Sequence, residues 1–147
     1  MRVRVLWIAL SIALLGFAPA PLPKKQRQSE NLTDVVGLWQ IVVWEGDGSR
    51  DQESERTLQV RMTKEQFSFV MKGDRSMMAL TIRLEPSASP PAIILGRRGR
   101  PMLVGSYRLQ KDEMTMILGR GEGLADRPTD FAGKPQIRLV LRRLRRD

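Results

Sequence analysis

The sequence predicts an all-β protein, an eight-stranded antiparallel up-and-down barrel that follows an N-terminal signal segment. From residue 36 onward, apolar and polar side chains alternate with a period of two, which is typical of strands with one buried face. Clusters of Gly, Pro and Asp divide this pattern into eight runs, and we find no helical stretch of consequence between them. Consecutive half-buried strands favour a sheet closed into a barrel, with a two-sheet sandwich as the alternative.

Residues 1–20 differ in kind from the rest of the chain. Arg2 and Arg4 precede the apolar run 5–17, and Ala18-Pro19-Ala20 follows as a small-residue pattern. This order predicts a secretory signal peptide, with an uncleaved anchor as the alternative because the apolar run extends to Leu22. We therefore expect an exported protein, periplasmic or extracellular, or one tethered to the inner membrane.

Residues 21–34 predict a polar, basic tether that closes with a single helical turn near residues 29–34. They carry Lys, Arg and Gln with no periodic apolar face. Residues 35–147 form the predicted barrel domain, which is long enough to bury about two-thirds of its unfolded surface.

The strands are assigned from the apolar residues that share one parity, and breaks are predicted at residues 46–49, 72–74, 86–91, 97–101 and 110–112. The residues predicted to face inward are Trp39/Ile41/Val43, Leu58/Val60/Met62, Phe67/Phe69/Met71, Leu80/Ile82/Leu84, the stretch 92–95, Leu103/Gly105/Tyr107/Leu109, Met114/Met116/Leu118 and Ile137/Leu139/Leu141.

Composition excludes several chemistries. The chain has no Cys and no His, so disulfides, thiolate chemistry and Ser-His or Cys-His catalysis are excluded. Without Arg2 and Arg4, 23 basic and 16 acidic residues remain, a net charge of +7. This charge favours an anionic partner, such as an envelope surface or an acidic protein. Nucleic acid is not expected, because few aromatic residues accompany the basic ones.

Two signatures stand about ninety residues apart: Val36-Gly37-Leu38-Trp39 and Arg127-Pro128-Thr129-Asp130-Phe131. Between them, Leu84-Glu85-Pro86 leads to Pro90-Pro91-Ala92-Ile93. Over roughly residues 32–144, the chain resembles an uncharacterised lipocalin-like domain family found chiefly in planctomycete bacteria. It departs from that family's pattern at Ile94, where Asp is common, and at Lys111, where Gly is common. The resemblance implies a lipocalin-like barrel and no established activity.

Gly37-x-Trp39 also resembles the opening motif of true lipocalins. That resemblance implies that Trp39 closes one barrel end beneath a basic residue of the last strand. Arg143 shares the inward parity of Leu141 and is the candidate for a cation–π contact of about 1 kcal/mol.

The Arg127-Pro128-Thr129-Asp130-Phe131 segment is expected to anchor a loop, with ligand contact as the alternative. Pro128 restrains the backbone and makes Arg127 extended. Arg127 and Asp130 are predicted to form an ion pair, and Phe131 to plug an open barrel end.

Three other patterns carry no predicted site. Asp47-x-Ser49-x-Asp51-x-Glu53 has calcium-loop spacing but lacks the required sixth-position Gly. Gly119-x-Gly121-x-Gly123 leads into a turn, so no helix N-terminus is predicted to bind phosphate. The near carboxylate pairs fall in predicted loops among basic residues. We therefore predict no metal, no cofactor and no enzymatic activity.

The sequence is compatible with two functions. The first is a binding module in which a small apolar ligand contacts the barrel interior, with Met62 and Met71 as further adaptable inward residues. Its candidate residues are Trp39, Phe67, Phe69, Tyr107, Met114 and Met116. The second is a packed barrel that contacts an anionic envelope partner through Arg97-Arg98-x-Arg100 and Arg142-Arg143-Leu144-Arg145-Arg146. The sequence does not fix the oligomeric state.

Overall fold

A computed structural model describes residues 32–72 and 75–145 of the chain. Strands dominate it, as the period-two pattern predicts. The strands are β1 (Gly37–Gly46), β2 (Ser49–Arg50), β3 (Leu58–Met62), β4 (Gln66–Met71), β5 (Arg75–Glu85), β6 (Ala92–Arg97), β7 (Arg100–Gln110), β8 (Glu113–Arg120) and β9 (Ile137–Arg145).

The predicted eight-stranded antiparallel barrel is confirmed, and the sandwich alternative is not what forms. Sequential strands pair antiparallel from β3 to β9, and β1 pairs with both β3 and β9, which closes the sheet. The strand β2 extends only the end of β1, by pairing at Glu45 and Gly46. Closure removes the free edges that an open sheet would present to other chains.

One hydrophobic cluster fills the barrel. Its fully enclosed members come from every long strand of the barrel, and all of them lie between residues 35 and 141. Among the described residues, the core thus lies within the predicted barrel domain. The buried members are Val35, Trp39, Ile41, Val60, Met62, Phe67, Leu80, Ile82, Ile93, Leu95, Tyr107, Met114, Met116, Leu118, Leu139 and Leu141.

The alternation breaks inside β1. A register shift lies between Ile41 and Val43, so that Val43 pairs with Val140 and Trp44 pairs with the core residue Leu139. The prediction that Val43 faces inward is wrong, because a β-bulge adds one residue and moves Trp44 to the inner face. A bulge carries no period of its own, so alternation alone misses it.

Within the described part of the chain, two short α-helices accompany the strands. The helix α1 (Leu32–Val35) overlaps the predicted turn near residues 29–34, and Val35 joins the core. The helix α2 (Gln52–Thr57) falls where no helix is predicted. Its N-cap is Asp51, whose carboxylate accepts hydrogen bonds from the Ser54 amide at 3.0 Å and the Ser54 hydroxyl at 2.6 Å.

The connection from β8 to β9, residues 121–136, crosses the outer face of the barrel and contains a 3-10 turn (Leu124–Asp126). Beneath it the outward residues of three strands are buried, which explains why the stretch 92–95 is apolar on both faces. These residues are Ala92, Ile94, Val104, Ser106 and Ile117. We call residues 121–136 the strap.

The two barrel ends differ. The Trp39 end carries α1 and the connections β3–β4, β5–β6 and β7–β8, because Gly37 pairs with Met62 and Arg142 pairs with Glu113. The opposite end, which we call the hairpin end, carries the β4–β5 and β6–β7 hairpins and α2.

The predicted signal peptide at residues 1–20 and the tether up to residue 31 lie outside the described residues. Within residues 32–72 and 75–145, no helix is long and apolar enough to cross a membrane.

Candidate functional site

The barrel brings the six interior candidates together in one cluster. Five of them are 0% exposed: Trp39, Phe67, Tyr107, Met114 and Met116. Phe69 is partly buried and packs against the same cluster. Tyr107 pairs with Met116, which places both side chains at the same level of the barrel.

The full enclosure of these side chains is typical of a packed interior. A ligand cavity needs lining residues that leave room for another molecule, whereas these five residues are covered by their neighbours. Met62 is also fully buried. Met71 has the predicted inward parity, but it ends β4 at the rim and is 41% exposed. The prediction that it contributes to the interior is therefore wrong.

At the Trp39 end, the predicted contact between Arg143 and Trp39 is present. The guanidinium carbon of Arg143 lies 4.1 Å from the centre of the Trp39 ring. The two residues pair across β1 and β9, so the sheet register holds them face to face. The Trp39 indole N–H donates to the Val35 carbonyl at 3.0 Å, which ties α1 to the barrel.

Arg143 makes further contacts at this end. It donates to the Val36 carbonyl at 2.9 Å and to the Asp34 carbonyl. Its Nε lies 3.3 Å from the Asp112 carboxylate, and its side chain is only 4% exposed. One cation thus joins α1, the β7–β8 turn and the aromatic ring, which indicates a structural role for Gly37-x-Trp39 and Arg143.

The strap bears the Arg127-Pro128-Thr129-Asp130-Phe131 segment, and its contacts are those of an anchored loop. The Pro128 carbonyl accepts from the buried Ser106 hydroxyl at 2.7 Å. Arg127 is extended, as its place before a proline predicts, and donates to the Leu124 carbonyl at 2.8 Å. Thr129 is exposed.

Two details of that segment differ from the predictions. Asp130 accepts from the Ala132 amide at 2.9 Å, and the described contacts contain no ion pair between Asp130 and Arg127. Phe131 does not plug a barrel end: it lies on the outer face under Arg108, whose guanidinium carbon is 3.9 Å from the ring centre. The strap follows the sheet exterior because it packs there over the outward-facing side chains of Ser106 and Ile117, both of which are fully buried.

Arg138 is the anchoring residue that the sequence pattern does not single out. It donates to the carbonyls of Phe131 at 2.9 Å and Gly133 at 2.7 Å, and it pairs with Glu45 at 3.0 Å. The alternation predicts an outward arginine here, but only the folded strap shows what it contacts. Arg108, Phe131 and Arg138 also line a groove of about 370 Å³ on the outer face.

The acidic segment with calcium-loop spacing is used for structure. Asp51 caps α2, and its hydrogen bonds from Ser54 lower the pKa of its carboxyl. Glu55 accepts from the Arg50 guanidinium at 2.7 Å and from the Trp44 amide at 2.9 Å. The Arg50 hydrogen bond is the main cause that lowers the pKa of Glu55. Across the described residues, no group of three or more acidic side chains converges on one point.

The hairpin end has the opposite character, because its aromatic residues are only partly covered. The Trp44 and Phe69 rings lie 5.0 Å apart at a tilt, and Phe69 meets Phe67 edge-on at 5.2 Å. Leu58, Leu103 and their neighbours complete this half-buried layer. Leu58, Phe69 and Leu103 face inward as their parity predicts, whereas Trp44 joins the layer only through the bulge in β1.

The two predicted basic clusters do not form one surface. Arg97, Arg98 and Arg100 are exposed in the β6–β7 hairpin at the hairpin end. The C-terminal cluster lies on β9 at the Trp39 end, where Arg142 is exposed and Arg143 is turned inward. Arg146 is outside the described residues.

Comparisons of the chain with family models, with curated proteins and with solved structures found no match. The resemblance to the lipocalin-like family therefore stays a prediction from the sequence motifs, and the barrel itself is established by its strand pairing.

Proposed function

We propose that this protein is an exported, non-catalytic interaction module. In this proposal the packed barrel is a rigid scaffold, and its basic outer surface contacts an anionic partner in the cell envelope. The interior cluster carries the proposal, because side chains that are fully covered by one another leave the outer surface as the place for recognition.

The charge distribution supports this function. The chain has 25 basic and 16 acidic residues, and Arg97, Arg98 and Arg100 stand together on one exposed hairpin. Opposite charges steer association and raise its rate, an effect that salt screens beyond about 10 Å at 0.1 M ionic strength. Long-range electrostatic attraction would thus bring an anionic partner to this surface before direct contacts form.

The acidic side chains of the described barrel support a non-catalytic role. Three of them hold the fold: Asp51 caps a helix, Glu55 binds Arg50, and Glu45 binds Arg138. A catalytic acid or base has to meet a substrate instead of a structural partner.

Binding to defined anionic probes tests the proposal. Residues 24–147 contain all of the described core residues and can be titrated with phosphatidylglycerol vesicles and with polyglutamate at 20 mM and 300 mM salt. We expect binding to at least one probe that weakens sharply at the higher salt concentration. No binding to either probe at low salt would reject the proposed function.

A small apolar ligand is the second candidate, and the half-buried layer of Trp44, Phe69 and Leu103 at the hairpin end supports it. Such a ligand would enter at this end and displace part of the layer. Native mass spectrometry of protein from a periplasmic expression host tests it: a reproducible added mass, lost on mild denaturation, is the expected result. Exclusively bare protein after incubation with fatty acids and isoprenoid alcohols would count against it.

A further inference from the structure

Four methionines are exposed on the two hairpins of the hairpin end. Their exposed fractions are 41% for Met71, 60% for Met77, 43% for Met78 and 50% for Met102. Exposed apolar side chains are ordinary when they are scattered singly, but contiguous apolar patches mark interaction sites. Half of the eight methionines of the chain occupy this one region.

The β4–β5 hairpin projects beyond the rest of the rim. Residues 75–79 are exposed at every position, on both faces of the strand. The cause is the register: β5 pairs with β6 only from Thr81, which lies opposite Gly96, so the preceding residues have a neighbour on the β4 side alone. Met77 lies at the register shift between Met78 and Ser76 in this projecting part.

The β6–β7 hairpin lies beside the base of this projection. The Arg100 carbonyl and the Thr81 hydroxyl come so close to Gly96 that a Cβ there would lie 2.6 Å and 3.0 Å from them. Thr81, Gly99 and Arg100 also line one groove on the barrel surface. Because Thr81, Gly96 and Pro101 are level with each other, strand spacing and rise place Met102 about 16 Å from Met78.

Positive charge surrounds these methionines. Lys72, Arg75, Arg97, Arg98 and Arg100 are all exposed on the same two hairpins. Arg97, Arg98, Arg100 and Met102 line an open groove of about 570 Å³. Arginine keeps its charged group in water while its methylene stem lies along apolar surface, so it combines readily with exposed methionine at a polar–apolar boundary.

Acidic residues of this end flank the basic and apolar side chains. Asp47, Asp51 and Glu53 belong to the connection between β1 and β3, and Glu55 is paired with Arg50. Glu122 is exposed just after β8, whose Arg120 pairs with Leu103. The exposed methionines and arginines of β4–β7 lie between these two acidic segments. We call the set Met71, Met77, Met78, Met102, Arg75, Arg97, Arg98 and Arg100 the methionine–arginine rim.

We propose that the methionine–arginine rim docks onto a bilayer of anionic lipid, with the methionines entering the headgroup layer and the arginines contacting lipid phosphates. This inference rests on the proposed function and names its partner. The unbranched, polarizable methionine side chain adapts to a fluid surface. A purely acidic protein would engage the arginines and leave the methionines in water, whereas a bilayer accommodates both.

Vesicle flotation of residues 24–147 tests the inference, with phosphatidylglycerol/phosphatidylcholine vesicles against pure phosphatidylcholine. We expect Arg97→Ser/Arg98→Ser to weaken partitioning about thirtyfold, from the loss of two basic residues near the surface. The matched control Lys64→Ser/Arg142→Ser removes two exposed charges at the Trp39 end and is expected to change it less than threefold. Met77→Ser/Met102→Ser is expected to weaken it about tenfold, with Leu144→Ser as the apolar control.

A second measurement does not depend on lost binding. Because the chain lacks cysteine, Met77→Cys and Leu144→Cys each carry a single thiol for an environment-sensitive fluorophore. We expect a blue shift on anionic vesicles for the label at position 77 and none at position 144.

The outcomes separate the two proposals. Binding to polyglutamate without binding to vesicles overturns the lipid docking and leaves the proposed function standing. Equal losses for the rim and control pairs, or equal shifts for both labels, also overturn the assignment to this rim. Dimerisation that Met77→Ser/Met102→Ser abolishes would reassign the rim to self-association. Failure to bind either probe rejects both proposals.

Discussion

Replacement of Arg143 by methionine isolates the contribution of the cation at the Trp39 end. Methionine preserves the apolar stem, so the substitution removes the guanidinium with little change in packed volume. The variant loses the contact with the Trp39 ring at 4.1 Å and the hydrogen bond to the Val36 carbonyl at 2.9 Å. It also loses the hydrogen bond to the Asp34 carbonyl and the ion pair with Asp112.

The expected magnitude follows from the Trp39 and Val36 contacts, because the Asp34 and Asp112 contacts are exposed to water and contribute little. A cation–π contact that is largely withdrawn from water contributes about 2 kcal/mol, and a hydrogen bond from a charged donor contributes about 1.5–3 kcal/mol. Their sum predicts a loss of about 3.5–5 kcal/mol in the free energy of unfolding. For a domain of this size, that loss lowers Tm by about 15 °C.

Urea unfolding of residues 24–147 measures the effect through the fluorescence of Trp39 and Trp44, since the remaining tryptophan, Trp7, is absent from that chain. The matched control is Arg142→Met, an exposed neighbour on the same strand, which is expected to change stability by less than about 0.5 kcal/mol. The loss of stability in Arg143→Lys is expected to lie between those of Arg143→Met and Arg142→Met, because lysine keeps the charge but lacks the planar guanidinium. Equal losses for Arg143→Met and Arg142→Met would refute the reasoning.

Three further predictions concern the interior and α2. In a packed barrel, Met116→Ala is expected to lower the free energy of unfolding by about 2–5 kcal/mol, whereas the exposed control Met102→Ala should lower it by less than about 0.5 kcal/mol. Similarly small losses for both variants in urea unfolding would instead indicate a hollow interior. Gly105→Ala is expected to destabilise by about 3 kcal/mol, because a Cβ there would lie 2.0 Å from the Ile117 carbonyl, whereas Gly46→Ala meets nothing nearer than 3.8 Å and should melt like the wild type. The fold lowers the pKa of the Glu55 carboxyl, so the stabilisation from this group is present above its ordinary pKa of 4.5 and is lost as the pH falls through the lowered pKa. The Glu55→Gln variant should therefore show a shallower fall of Tm with decreasing pH in that acid range. An unchanged slope would contradict this prediction.

The regular part of the fold is predictable from the sequence because strand periodicity is a local property. Leu103, Tyr107 and Met114 face inward as their parity predicts, and Arg143 meets Trp39 because both share that parity across the barrel seam. Burial on one face imposes the alternation, and so the pattern is readable without the structure.

The errors fall where a contact depends on distant chain segments. Val43 faces away from the core because a bulge shifts the alternation of β1 by one residue. Phe131 lies outside the barrel because the strap packs on the outer face of the sheet. Met71 has the predicted parity but ends at the rim, where no neighbouring strand covers it.

The sequence by itself determined an all-β chain of eight half-buried strands, the basic charge, and the absence of the side chains that Ser-His and Cys-His catalysis require. These follow from composition and a period of two residues, both of which are local. The tertiary structure alone decided that β1 closes onto β9, that the interior candidates enclose one another, and that exposed methionines and arginines gather at one rim. Each of these depends on strand register, which is set by the packing of the whole barrel.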